Sequence, residues 1–160
     1  MAIRCTMSLI CMVALVATPC AADAPYTVPG TVFACTIGQR QVSVTQDGGN
    51  FTYRFGTRHS AEKTIIGSVS RSNLFWRSEL FAHASQEQMR FRDGRYSYVL
   101  YVDFSTPNYD GEGARDNAGI VVFNGTQRIA TLHCDDTAYF ELTQEQIAIL
   151  PVDSAQYVVF

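Results

Sequence analysis

Between Thr31 and Cys134 the chain repeats one local pattern: a short β-prone run, then Gly, Asn, Asp or Ser chemistry, at intervals of about ten residues. That rhythm is the signature of an antiparallel sandwich or barrel, and it predicts a mainly β fold of about 8 strands. The strands expected first are residues 31–37 and 41–46, a hairpin, followed after Asp47-Gly48-Gly49-Asn50 by 51–55. Glycine at that turn supplies backbone freedom that side chains with a Cβ lack. In the third strand Phe51, Tyr53 and Phe55 alternate with Thr52 and Arg54, so one face is aromatic and the other wet. Runs over 63–69, 74–81, 88–92 and 96–104 come next, with turns at 70–73 and at Asp93-Gly94. The stretch 75–84 also fits a short helix.

Two local signals are sharper. Ile120-Val121-Val122-Phe123 and Gln127-Arg128-Ile129-Ala130 flank Asn124-Gly125, the strongest short hairpin signal, with Asn124 and Gly125 expected to take positive φ. Later, Thr143-Gln144-Glu145-Gln146 matches a capping box, and Pro151 cannot continue a helix, which together predict a C-terminal helix over 143–150. The tail, 157–160, is expected to add an edge strand. In 96–102 both parities are largely apolar, which predicts a central strand covered on both faces or one whose outer face meets a partner.

The N-terminus carries Arg4, then a weakly polar to apolar run from Met7 to Ala17, then Pro19 and small residues at Ala21, Ala22 and Ala24. This is the layout of a secretory signal peptide, and its apolar run falls short of the ~20 residues needed to span a bilayer. Residues 1–22 are therefore expected to be removed, leaving 23–160 as a single β domain. An alternative in which Cys20 is acylated is opposed by Pro19 immediately before it. Removal takes away Cys5, Cys11 and Cys20 and leaves Cys35 and Cys134, which an oxidising compartment is expected to pair. The address expected is periplasmic or secreted.

The mature chain would carry eleven basic and fifteen acidic residues, a formal charge of −4, which argues against nucleic acid or an anionic membrane as partner. Lys63 is the only lysine in the chain. A membrane β-barrel ending in Phe160 is opposed by Gln156, which breaks the alternation, and by strands shorter than the 9–11 residues such barrels need. No nucleophile elbow, phosphate loop or zinc-binding motif occurs, so no catalytic residue, metal or cofactor is assigned. A small enzyme using His59, His83 or His133 with an acid, and a structural envelope protein without a dedicated site, stand as alternatives.

The one long irregular segment, 106–117, is acidic and glycine-rich, with Asp110, Glu112 and Asp116 around Gly111 and Gly113. Its oxygen ligands resemble the start of a calcium loop, but the twelfth position is Gly119 and no helix flanks it. A binding loop is the preferred reading. Among the aromatics, Phe51, Tyr53, Phe55, Phe75, Trp76 and Phe81 are expected in the core, whereas Tyr98, Tyr101 and Tyr109 are expected to be partly exposed, where Tyr serves binding.

The early Cys in Phe33-Ala34-Cys35, the short strands, the Gly-rich loop leading through Gly113-Ala114-Arg115 to Gly119-Ile120-Val121-Val122-Phe123, and the closing Cys134 resemble the periplasmic and membrane-bound inhibitors of c-type lysozyme. The chain also resembles exported proteobacterial β proteins of no assigned function. The first resemblance implies a small exported β-barrel whose disulfide joins its ends and whose loop enters a lysozyme cleft through a Ser-Gly-Tyr element aided by a Lys. Here the matching stretch reads Gly111-Glu112-Gly113-Ala114-Arg115-Asp116, without that Ser or Tyr. Arg115 and Arg128 are the substitutes expected to contact an enzyme's carboxylates. The binding set is thus Tyr98, Tyr101, Tyr109, Asp110, Glu112, Arg115, Asp116 and Arg128, and the partner expected is a protein such as a lysozyme.

Overall fold

The computed structural model describes residues 27–81, 84–105 and 117–155. The expected leader, His83, most of the acidic loop and the 157–160 tail lie outside the described residues.

Among the described residues ten strands form two antiparallel five-stranded sheets. The first sheet holds β1 (Thr31–Ile37), β2 (Arg40–Asp47), β3 (Asn50–Gly56) and β4 (Ala61–Ser68) as a meander. The second is a meander of β5 (Leu74–Leu80), β6 (Ala84–Asp93), β7 (Tyr96–Ser105), β8 (Asn117–Asn124) and β9 (Gln127–His133). The chain then crosses back, and β10 (Tyr139–Phe140) pairs with the outer edge of β1 through Phe33 and Ala34. The architecture is a sandwich, the second of the two expected forms, because each sheet keeps its own edges. The segment 74–80 is a strand, since its pairing with β6 runs without interruption from Leu74↔Phe91 to Leu80↔Ser85.

Period-two alternation builds the core. Phe33, Cys35, Val42, Val44, Phe51, Tyr53 and Ile65 from the first sheet meet Leu74, Met89, Phe91, Leu100, Val102 and Ile120 from the second. The Tyr53 ring spans the two, with centroids 5.6 Å from Phe91 and 5.5 Å from Tyr98. Burial raises its phenol above the ordinary value, and the neighbouring Tyr98 adds to this. Phe81 corrects the expected core set: it follows the last residue of β5, outside the strand's alternation, and is 43% exposed.

Four hairpins, β1–β2, β2–β3, β6–β7 and β8–β9, close through two-residue turns with glycine first: Gly38, Gly48, Gly94 and Gly125. In the last of these the expected turn is displaced by one residue. Asn124 pairs with Gln127, so Gly125 and Thr126 are the turn residues and only Gly125, at φ +62°, has positive φ. A register shift follows it: Phe123 opposes Arg128 while Val122 opposes Ala130, which leaves Ile129 as an extra residue on β9.

The C-terminal helix α1 (Gln144–Ile149) begins at the expected capping box. The Thr143 Oγ1 accepts from the Gln146 amide at 3.2 Å, and the Gln146 Oε1 accepts from the Thr143 amide at 2.6 Å. Leu150 then enters the core and Pro151 to Asp153 runs along the edge of β5, where the Trp76 amide donates to Pro151 O at 2.9 Å and the Asp153 amide to Trp76 O at 2.7 Å.

The expected disulfide is present: Cys35 and Cys134 are bonded, their Cα atoms 5.7 Å apart. It fastens β1 of one sheet to the residue after β9 of the other. The next residues continue the seam, with the Asp135 amide donating to Thr36 O at 2.8 Å, the Thr36 amide to Asp136 Oδ1 at 3.1 Å and the Gly38 amide to Asp135 Oδ2 at 2.5 Å.

Candidate functional site

The expected binding loop leaves the second sheet at the end of β7 and rejoins it at Asn117 of β8. Tyr109, Asp110, Glu112, Arg115 and Asp116 lie outside the described residues, but the base that carries them is well defined. β7 and β8 are central strands, and both of their faces are covered: Leu100, Val102, Ala118 and Ile120 face the main core, while Val99, Tyr101, Val121 and Phe123 form a second buried cluster on the opposite side. This is the two-faced burial expected for 96–102.

Polar side chains tie the strand ends at this base. Gln86 Nε2 donates to Asp103 Oδ1 at 2.5 Å, Asn117 Nδ2 donates to Asp103 Oδ2 at 3.3 Å, and Gln88 donates to Gln86. Gln86 and Gln88 are both buried, and their pairing satisfies polar groups that would otherwise oppose burial. The Tyr101 hydroxyl and His133 Nδ1 are hydrogen-bonded at 2.9 Å. Burial, and then the charge of Asp103, raise the Tyr101 phenol above its ordinary value, against a smaller opposing contribution from Asn117. Tyr101 reaches His133 over Gly119, where a Cβ would stand 3.0 Å from the Tyr101 oxygen and collide with Leu132 O on β9.

Tyr101 corrects the expectation of exposure, since it is only 2% exposed. Tyr98 is half-buried on the other face of the sheet, against Tyr53 and with the Lys63 ammonium 5.6 Å from its ring centre. A spacing of three residues on a strand places side chains on opposite faces, so the two tyrosines belong to different surfaces. Arg128 is exposed and pairs with Phe123 beside the Gly125 turn, at the other end of β8 from Asn117. His59 and His133 contact no carboxylate among the described residues, and His133 has only a phenol held in its neutral form as partner.

Three exposed apolar side chains surround the same end of the sandwich. Leu80 is 84% exposed, Phe81 43% and Phe104 40%. The register Leu80↔Ser85 and Ser85↔Phe104 sets Leu80 and Phe104 in one row across β5, β6 and β7. Phe104 is anchored from below by Phe140 with ring centroids 6.2 Å apart, and Phe140 by Phe33 at 6.5 Å. Two residues further along β6, Glu87 accepts from the Ser78 hydroxyl at 2.8 Å. Burial raises its carboxyl above the ordinary 4.5, and the Ser78 hydrogen bond only partly offsets this.

A carboxyl whose folded pKa is raised favours the fold while protonated, and the advantage is lost as pH rises through its folded pKa. Glu87→Gln keeps an acceptor for Ser78 and has no charge to bury. Its stability relative to the native chain is therefore expected to grow as pH rises above the ordinary carboxyl value of 4.5, read as a rising difference in urea midpoints. A difference independent of pH would refute the assignment.

The wet face read in the sequence for β3, joined by the outward side chains of β2, turns out to be a hollow. On the outward side of the first sheet, Gln41, Ser43 and Thr45 of β2 and Thr52 and Arg54 of β3 line a cavity of about 290 Å³ with Arg58 at its rim. Among the described residues no group of three or more His, Cys, Asp or Glu side chains converges as a metal site, and no helix is long and apolar enough to cross a membrane. Compared with known proteins, the chain matches no family model, no curated protein and no solved structure.

Proposed function

We propose that this chain is a non-catalytic periplasmic or secreted binding protein that engages a protein partner, of the lysozyme type, with the end of the sandwich that carries residues 106–116. The observation that carries the reading is the pairing of an exposed apolar rim, Leu80, Phe81 and Phe104, with a base cross-linked through Asp103, Gln86 and Asn117. Exposed apolar groups gathered at one end of a fold suit a protein contact, and a fixed base limits the entropy lost on binding. The disulfide supports an oxidising address. The resemblance to lysozyme inhibitors names the partner class, and Arg115 supplies the cation suited to a catalytic carboxylate.

The test is lysis of bacterial cell walls by c-type lysozyme in the presence of the oxidised protein. Lysis should slow at a saturable concentration, and Tyr109→Ala with Arg115→Ala should weaken that inhibition at least tenfold while leaving the melting temperature unchanged. No slowing of any lysozyme type, or inhibition indifferent to both substitutions, would end this proposal.

A further inference from the structure

The cavity on the outward face of the first sheet has a chemistry unlike that of a plain solvated surface. An exposed sheet face commonly mixes charges of both signs. Here the register places Ser43 opposite Arg54 and Thr45 opposite Thr52, with Gln41 one row further along β2. Among the described residues two arginines and no acidic residue line the hollow, in a chain whose formal net charge is −3. Gln41, Ser43, Thr45 and Thr52 are half-buried, sheltered by the concavity, and none of their side chains has a hydrogen-bond partner among the described residues.

Arg54 is likewise without a side-chain hydrogen bond or ion pair among the described residues. The acid on the neighbouring strand, Glu62, is engaged by Arg40, whose Nε lies 2.7 Å from its Oε1. The residue opposite Arg54 on β4 is Thr64, which carries no charge. An uncompensated guanidinium therefore stands among amide and hydroxyl groups, each able to donate and accept. Such a set matches a molecule that carries both an oxyanion and several hydroxyls: the guanidinium fork takes the oxyanion through two parallel hydrogen bonds, and the Ser, Thr and Gln side chains take the hydroxyls.

Size and composition narrow the class. A hollow of about 290 Å³ lies at the small end of ligand sites, which suits one ring and not a polymer. Among the described residues no aromatic side chain lines it, so the anchor those residues supply is charge and not ring stacking. We infer that this face is a binding site for a single small sugar bearing an oxyanion, either a sugar acid or a sugar phosphate, with Arg54 as its anchor. The site is on the opposite sheet from the loop-bearing end and stands independently of the partner proposed above.

Calorimetric titration of the oxidised protein with galacturonate, glucose 6-phosphate, glucose and inorganic phosphate tests this. Saturable binding of at least one of the two anionic sugars is expected, with glucose and inorganic phosphate each at least tenfold weaker. Preference for galacturonate identifies a carboxylate ligand and preference for glucose 6-phosphate a phosphate one. Arg54→Gln should weaken the preferred sugar at least tenfold at an unchanged melting temperature, whereas Arg40→Gln, whose guanidinium is engaged with Glu62, should leave it within twofold. Four results would each overturn the inference: no binding of either anionic sugar, glucose binding as tightly as they do, inorganic phosphate binding as tightly as they do, or an Arg54→Gln variant that binds like the native protein. The same Arg54→Gln variant should retain full activity in the lysozyme assay, which keeps the two proposals separable.

Discussion

Asp153→Ala is expected to cost about 3–5 kcal/mol of stability, a large part of the ~5–15 kcal/mol that holds an ordinary domain together. Asp153 and Arg90 are 4% and 7% exposed, and they meet through two parallel bonds, Nε to Oδ2 at 2.5 Å and Nη2 to Oδ1 at 2.6 Å. The guanidinium also lies over the Phe75 ring, 4.1 Å from its centre, and the carboxylate accepts from the Ala155 amide at 3.0 Å. Truncating the acid takes the bidentate carboxylate away from a buried cation, and the loss of that pairing is the source of the penalty. Replacing both partners, Arg90→Met with Asp153→Leu, removes the charge altogether and should recover most of the loss. Urea unfolding of the two variants decides the matter: a single-variant cost under about 1 kcal/mol would mean that the pair behaves as an exposed one.

Removing the disulfide is the second large effect. The bond closes a loop of sequence separation 99, for which the chain-entropy model gives about 4–5 kcal/mol. The native arrangement should survive its loss, because the crossing is also held by the Asp135 amide on Thr36 O and by Asp136 on the Thr36 amide. Cys35→Ala with Cys134→Ala should therefore give a folded protein that melts roughly 10–20 °C lower, and reductant should lower the native chain to the same temperature. A shift below about 3 °C would show that the unfolded chain is constrained by something other than this bond.

The two effects lie at different places in the sandwich. The disulfide acts at the crossing after β9, and the Arg90–Asp153 pair acts where the chain passes the edge of β5. Neither is among the residues that line the 290 Å³ hollow or form the exposed rim of Leu80, Phe81 and Phe104, so variants at the two proposed sites can be read without loss of the fold.

What local chemistry writes was legible along the chain. The bounds of β1, the turn over residues 47–50 and the Thr143 capping box depend on residues within a few positions of one another, and the short-range rules for turns and caps locate them, whereas the Asn124-Gly125 turn was located to within one residue. The pairing of Cys35 with Cys134 was legible for a different reason: with the other three cysteines assigned to a leader, only one partner remained. β10 was not legible, because two residues, Tyr139 and Phe140, become a strand only by meeting the edge of β1 about a hundred positions away.

The candidate sites divide in the same way. Alternation assigned Thr52 and Arg54 to a wet face from the sequence alone, but whether that face is flat or hollow depends on how the first sheet curves and on what stands at its rim. Both parities of 96–102 are apolar, which left open whether this chain or a partner covers the face of Tyr101; the cluster with Val99, Val121 and Phe123 decides it. Sequence by itself determined the β character, the hairpins, the helix and its cap, and the disulfide, since each is set by neighbours or by elimination. Only the tertiary structure decided the sandwich over the barrel, the Arg90–Asp153 pair across 63 residues and the sugar-sized hollow, because each exists only once distant segments share one space.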